Sequence, residues 1–309
     1  MRRRLIFTCL VGSALLVALG VCYLLLCRQC THKLSAGQIV EVFLLPNEQL
    51  LVVNHVLDND GSFVRSEVQT WTISTHVKTT ILTSPMLVRS ADVSPDRRLL
   101  ALGNSTGTIQ VYEIEGPKAI WTLTAKEDLP ITAIRFSAQR NEIESFAYLS
   151  TSANGRHTFR SYWDLDSGKF LRSEQVDEAF VYPPSECGDM LAQVTRGNVI
   201  EVRSRVGNLI IREIETNWRR VNTLVFSHGC EYLAAATGDL EGGGPAPRFA
   251  MVHSEVAVWQ LSTGKKVYQH NCHRAGVVSL SFSLDDHYLA SGDAVGEVAV
   301  YDLIDGKTR

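Results

Sequence analysis

From about residue 38 onward, apolar and polar positions alternate in short runs separated by turn residues. The clearest unit is the last: Val277-Val278-Ser279-Leu280-Ser281-Phe282-Ser283, then His287-Tyr288-Leu289-Ala290-Ser291-Gly292, then Gly296-Glu297-Val298-Ala299-Val300-Tyr301-Asp302-Leu303. Alternation at period two predicts strands with one buried face, and the polar or Gly-bearing breaks predict the turns between them. First strands of the same kind occur at Val88–Ser94, Ile131–Ser137 and Val221–Ser227. An aromatic residue, or Arg in one unit, closes each third strand at Trp71, Tyr112, Trp163, Arg203, Trp259 and Tyr301. The separations are 41, 51, 40, 56 and 42 residues. The turn that follows recurs as Asp164–Lys169, Gln260–Lys265 and Asp302–Lys307, each with a Gly suited to positive φ and a polar residue that can bond the local backbone.

A repeat of this length with several short strands per unit predicts the blades of a β-propeller. Six units are visible, so the expected fold class is an all-β propeller of six blades, with seven as the alternative. The sequence runs out after the turn that leads into a fourth strand of the last unit. Propellers remove an exposed edge by letting one terminus complete a blade begun by the other. The segment from Cys30 to Gly37 is therefore the expected closing strand.

Ahead of the repeats, Leu5 to Cys27 contains no charged residue. As a helix its 23 residues span roughly 35 Å, enough for a hydrocarbon core of about 30 Å. A cleaved leader ending at Ala18-Leu19-Gly20 would leave Val21–Cys27 as an exposed apolar tail, and neither Cys22 nor Cys27 follows the small residue that lipidation requires. One uncleaved transmembrane helix is the expectation. Arg2, Arg3 and Arg4 precede it, while Arg28 and Lys33 follow, which places the N-terminus in the cytoplasm and the propeller on the outer, periplasmic or luminal, side. The predicted organisation is a basic flank at 1–4, an anchor at 5–27, a juxtamembrane segment at 28–37 and the propeller at 38–309.

The repeats resemble the WD40 family. Tyr162-Trp163-Asp164 and Tyr301-Asp302 stand where that family has its Trp-Asp pair, and Val93-Ser94-Pro95-Asp96 matches its turn between the first two strands. His273 stands at the family's Gly-His pair, with Cys272 in place of Gly. The resemblance covers about residues 36 to 309. It implies a buried polar tetrad in the last unit, for which His273 and Ser291 match, while Val295 falls at the Asp position and Tyr301 at the Trp position.

Composition narrows the function. The chain is 45% hydrophobic and 20% charged, with a formal charge of −3. Five basic residues and no acidic ones precede Glu41, so the remainder holds 25 Lys and Arg against 33 Asp and Glu, about −8. An acidic domain of this kind argues against nucleic acid as a partner. Outside the anchor region, Cys187, Cys230 and Cys272 are an odd, widely spaced trio, expected to be free buried thiols. Cys27-Arg28-Gln29-Cys30-Thr31-His32 misses haem c spacing at Thr31, and His270-Asn271-Cys272-His273 reads as a link between blades, not a metal site. Asp58-Asn59-Asp60-Gly61 with Glu67 reads as a polar hairpin tip, because Val56 stands where a calcium loop needs its first ligand. Asn104-Ser105-Thr106 is a formal glycosylation sequon. No catalytic constellation or cofactor motif appears, and inner strands ending in Ser, Val, Phe and Ala argue against a central active site.

A protein-binding scaffold is the resulting expectation, with no cofactor, metal or catalysis. The alternatives are a quinoprotein-like or hydrolytic propeller enzyme, or one module of a larger signalling protein. Three connections between second and third strands are long: His55–Ser66, Ser152–Ser161 and Gly238–Ser254. In a WD40-like blade they open on one face of the disc. That loop face is the expected site of a protein partner, through His55, Phe63, Arg156, His157, Phe159, Arg248, Phe249 and His253.

Overall fold

The computed structural model describes residues 32–33, 37–126, 128–137, 140–151, 155–176, 185–195, 198–238, 254–271 and 273–308. The apolar run Leu5–Cys27 lies outside them. Among the described residues, no helix is long and apolar enough to cross a membrane.

Six antiparallel meanders make the blades of an all-β propeller; five hold four strands in chain order from the inside outward, and the sixth does so for its first three. The inner strands are Ile39–Leu45, Val88–Val93, Ile131–Phe136, Ser185–Cys187, Thr223–Phe226 and Val277–Phe282. The residues that close each third strand all pair with an aliphatic residue of the second strand. Trp71 faces Leu50, Tyr112 faces Leu100 and Trp163 faces Ile143. Arg203 faces Leu191, Trp259 faces Leu233 and Tyr301 faces Leu289. This shared register is why a divergent sequence still repeats one blade. The turn after each third strand carries a left-handed residue, His76 in the first blade and Gly116, Gly168, Gly207, Gly264 and Gly306 in the others. Glycine adopts that conformation without a Cβ penalty.

The apolar cores lie between blades. Val53, Val68, Val88 and Leu102 join the first blade to the second, and Ala101, Val111, Ile134 and Trp163 join the second to the third. Ile200, Phe226 and Trp259 join the fourth to the fifth; Val258, Phe282 and Tyr301 the fifth to the sixth; Val42, Leu50 and Val298 the sixth to the first. Among the described residues the third–fourth seam has no such cluster. There the contact is ionic, Arg135 Nη1 to Glu186 Oε1 at 2.8 Å.

Polar stitches reinforce the other seams. In the second, fourth and sixth blades, Asp92, Ser185 and Ser281 accept the main-chain N–H of Phe136, Phe226 and Leu44 on the next inner strand. The alternation gives the inner ring an approximate threefold rhythm. A disulfide also links Cys187 of the fourth blade to Cys230 of the fifth, with their Cα atoms 5.7 Å apart. This corrects the expectation of free thiols. Residues 43 apart in sequence meet because adjacent blades bring an inner strand beside the next blade's first turn.

His32 and Lys33 pair antiparallel with Val298 and Glu297, on the outer edge of the sixth blade's third strand. Thr308 and Lys307 pair with Tyr301 and Asp302 of the same strand. The outer strand of this blade is thus assembled from both ends of the sequence.

Candidate functional site

Three regions gather chemistry: the hairpins raised on one face, the inner ring, and a buried polar chain in the sixth blade. In the first blade, the ladder runs on through His55 opposite Ser66, Val56 opposite Arg65 and Leu57 opposite Phe63. In the third it reaches Leu149 opposite His157 and Thr151 opposite Gly155. The strands on either side have 9 and 10 residues in the first blade and 10 and 10 in the third. The segments expected as long loops in these blades are therefore mostly paired strand. Residues 239–253 of the third expected loop, with Arg248, Phe249 and His253, lie outside the described residues.

His55 is half-buried, and its Nε2 lies 2.7 Å from the carbonyl oxygen of Val88 on the second blade. A carbonyl can only accept, so Nε2 carries the proton. Burial lowers the His55 pKa and keeps the ring neutral, with Arg89 adding to the effect and the Val88 bond opposing it. Phe63 packs edge-on against this ring at 5.4 Å between centroids. The two form one small unit that fixes the hairpin to its neighbour. His157 Nδ1 lies 2.9 Å from Nε2 of Gln175 on the fourth strand, and Phe159 is half-buried opposite Ala147. Arg156 stands opposite Ser150 in the same ladder.

Sequence reasoning missed the inner ring. Glu41 accepts a hydrogen bond from Ser279 Oγ at 2.6 Å, and desolvation raises its pKa to about 8. Asp92 is raised to about 6 by burial, against the opposing N–H groups of Phe136 and Val93 and the charges of Arg97 and Arg135. Arg97 reaches across from the second blade, with Nη2 at 3.0 Å from His228 Nε2 and 3.4 Å from the Phe282 carbonyl. Asp286 receives the main-chain N–H groups of His228 and Gly229, both at 2.7 Å. Glu186 takes Arg135 on one oxygen and Arg205 on the other. The inner strands and first turns thus hold carboxylates, arginines and a histidine from several blades, contrary to the expectation of Ser, Val, Phe and Ala. The acids fall between apolar residues in the sequence, and only ring closure brings them near one another. Among the described residues no group of three or more His, Cys, Asp or Glu is placed to hold a metal ion.

The sixth blade contains a third constellation. His273 Nε2 lies 2.5 Å from Ser291 Oγ, which lies 2.9 Å from Tyr301 Oη. On the other side of the ring, His273 Nδ1 is 3.4 Å from Asp293 Oδ2. Asp293, not the Val295 position, supplies the carboxylate. A family model described as WD domain, G-beta repeat, matches residues 264–302. The match takes in the outer strand of the fifth blade, Lys266–His270, and the first three strands of the sixth, and makes that stretch similar to one WD40 repeat.

The other five blades are four-stranded sheets with their strands in chain order. No curated protein matches the sequence. Among solved structures, a chain from the crystal structure of a mitotic checkpoint complex superposes with a TM-score of 0.60 at 13% identity. The alignment covers 87% of this chain and 92% of that one. In all, 1563 solved chains match, and a fold shared so widely assigns no activity by itself.

Proposed function

We propose that this chain is a membrane-anchored WD40-like propeller that binds another protein and performs no catalysis, with Leu5–Cys27 as the anchor and the propeller outside the cytoplasm. The observation that carries the reading is the pair of hairpins in the first and third blades, built from strands of 9 or 10 residues where the other blades have second and third strands of 5 or 6. They stand on the face to which the second–third connections open, with Phe63, Arg156, His157 and Phe159 on them. Rigid paired strands present such side chains at lower entropic cost than a free loop. The solved relative is itself part of a multi-protein complex. The Cys187–Cys230 bridge supports an oxidising compartment, and thus the outer side of a membrane.

The test combines topology and capture. The full chain is expected to stay with membranes through alkaline carbonate, and protease added outside the cytoplasmic membrane is expected to digest the propeller. Trimming Val56–Arg65 and Leu149–His157 to short Gly turns, with His55 kept on Val88, is expected to leave the fold intact and abolish recovery of the partner captured by the full chain. Undiminished recovery by the trimmed chain rejects the hairpin face.

A second reading, a propeller enzyme with its site at the axis, draws on Glu41 and Asp92, two carboxylates raised into a useful range for proton transfer. Glu41→Gln with Asp92→Asn separates the readings: it abolishes an enzyme's turnover and leaves partner capture unchanged.

A further inference from the structure

On the face opposite the hairpins, two seams are closed where first strands turn into second ones. The Cys187–Cys230 bridge joins the fourth blade to the fifth. Asp286 of the sixth blade takes the main-chain N–H groups of His228 and Gly229 on the fifth. The seam between the sixth and first blades has no such closure. Its inner strands are stitched, with Ser281 Oγ accepting the N–H of Leu44. Beyond that stitch, no hydrogen bond or ion pair among the described residues joins Ser283–Asp286 to Pro46–Glu48.

A groove of about 330 Å³ occupies the gap. Buried Leu44 and Val300, part of the apolar core of this seam, form its floor. Pro46 and Ile73 of the first blade and Leu284 and Tyr288 of the sixth line it as well. Sites for small ligands run from about 300 to 1,000 Å³, so a groove of this size takes a few side chains and not a folded surface.

Charge narrows the occupant. Glu48 of the first blade and Asp285 of the sixth both line the groove, both are exposed, and no Lys or Arg is part of the lining. Glu48 has no ion pair among the described residues. Asp285 accepts the Ser283 hydroxyl at 2.5 Å and the His287 N–H at 3.1 Å, with His287 Nδ1 at 3.4 Å. Burial pushes the Asp285 pKa up, but these contacts outweigh it and hold the carboxylate ionised. Lys78 and Lys307, on the outer edges of the two blades, lie outside the lining. An apolar slot flanked by two carboxylates repels an acidic segment and offers a neutral one nothing beyond burial.

We propose that this groove binds a short segment of a partner protein in which apolar side chains lie between basic ones. The apolar side chains rest on Leu44 and Val300, and a Lys or Arg faces each of Glu48 and Asp285. Exposed ion pairs add little affinity apiece, so here they select among apolar segments. This second interaction site is independent of the hairpins of the first and third blades.

The test uses the full chain in detergent and two biotinylated peptides, Arg-Leu-Leu-Arg-amide and Glu-Leu-Leu-Glu-amide, with photoleucine in place of each leucine. Irradiation and peptide mapping are expected to place adducts on residues 44–48, 73 and 283–288, about tenfold more with the Arg peptide at low salt. Glu48→Gln with Asp285→Asn changes two exposed positions, and the second keeps an oxygen for Ser283 and His287. That variant is expected to bring the two peptides within about twofold of each other. Equal labelling of the parent chain by both peptides overturns the proposal, as does labelling that falls outside the groove. Sedimentation of the chain without peptide gives the remaining outcome. Self-association that Leu284→Asp abolishes would assign the groove to a second copy and overturn the partner segment. The chain with trimmed hairpins is expected to label as the parent does, so the two sites stand or fail separately.

Discussion

Asp293 and His273 face each other at 3.4 Å between Oδ2 and Nδ1, and both side chains are sealed from solvent. The other Asp293 oxygen caps its own turn, accepting the N–H groups of Val295 and Glu297. The chain Asp293–His273–Ser291–Tyr301 ties the link entering the blade to its second and third strands. His273→Ala removes the only member in contact with both Ser291 and Asp293 and leaves a buried carboxylate without its partner. The expected loss is about 3 kcal/mol. Tyr301→Phe deletes one terminal hydrogen bond and is expected to cost about 1 kcal/mol. Denaturant unfolding of both variants checks the ratio. Equal losses would mean that Tyr301 anchors the chain as much as His273 does.

How much of this was legible depended on whether a residue acts within its blade or across a seam. Trp71, Trp163 and Trp259 could be placed because each sits at a fixed distance from the Gly or polar turn that follows it, and each packs on an aliphatic residue one strand away. The carboxylate expected at Val295 comes two residues earlier, from Asp293, the last residue of the second strand, whose side chain faces the buried His273. Arg135 and Glu186, 51 residues apart, give no local signal at all. Their meeting is a product of ring closure, as is that of Cys187 and Cys230. The first and third hairpins looked like loops because turn-forming residues, Asp58 to Gly61 in one and Ser152, Asn154 and Gly155 in the other, interrupt the apolar–polar alternation that marks a strand.

Glu41 supplies a pH-dependent contribution to stability. Desolvation raises its folded-state pKa from 4.5 to about 8, so between these values the folded chain holds a proton that the unfolded chain has released. Folding stability then falls as pH rises through this window, and the contribution is complete only below about 4.5. Glu41→Gln keeps the bond from Ser279 and removes the titration. The variant is expected to be more stable than the parent at pH 8, with the difference shrinking steadily toward pH 5. Melting midpoints of the two chains across that range check the slope; parallel curves would show that Glu41 stays ionised in the fold.

The last prediction concerns the outer edge of the sixth blade. Glu297–Asp302 is paired on that edge by two short pieces, His32–Lys33 and Lys307–Thr308. Each piece contributes about one or two main-chain hydrogen bonds, at about 1 kcal/mol apiece. A chain beginning at Gln38 lacks the first piece and keeps the second. Compared with a chain beginning at Gln29, it is expected to lose about 2 kcal/mol, a few degrees in a propeller of this size. Removing Lys307 and Thr308 instead should cost a similar amount, and removing both should roughly add, because the two pieces pair with different residues of Glu297–Asp302 and share no side chain. The exposed edge would also present unpaired N–H and C=O groups beside Val298 and Val300, a template for pairing between molecules. Loss of stability should therefore come with concentration-dependent association in the doubly trimmed chain. Unfolding curves at two protein concentrations read both effects. If the chain beginning at Gln38 melts as high and as sharply as the longer one, the His32–Lys33 pairing contributes nothing to closing the ring.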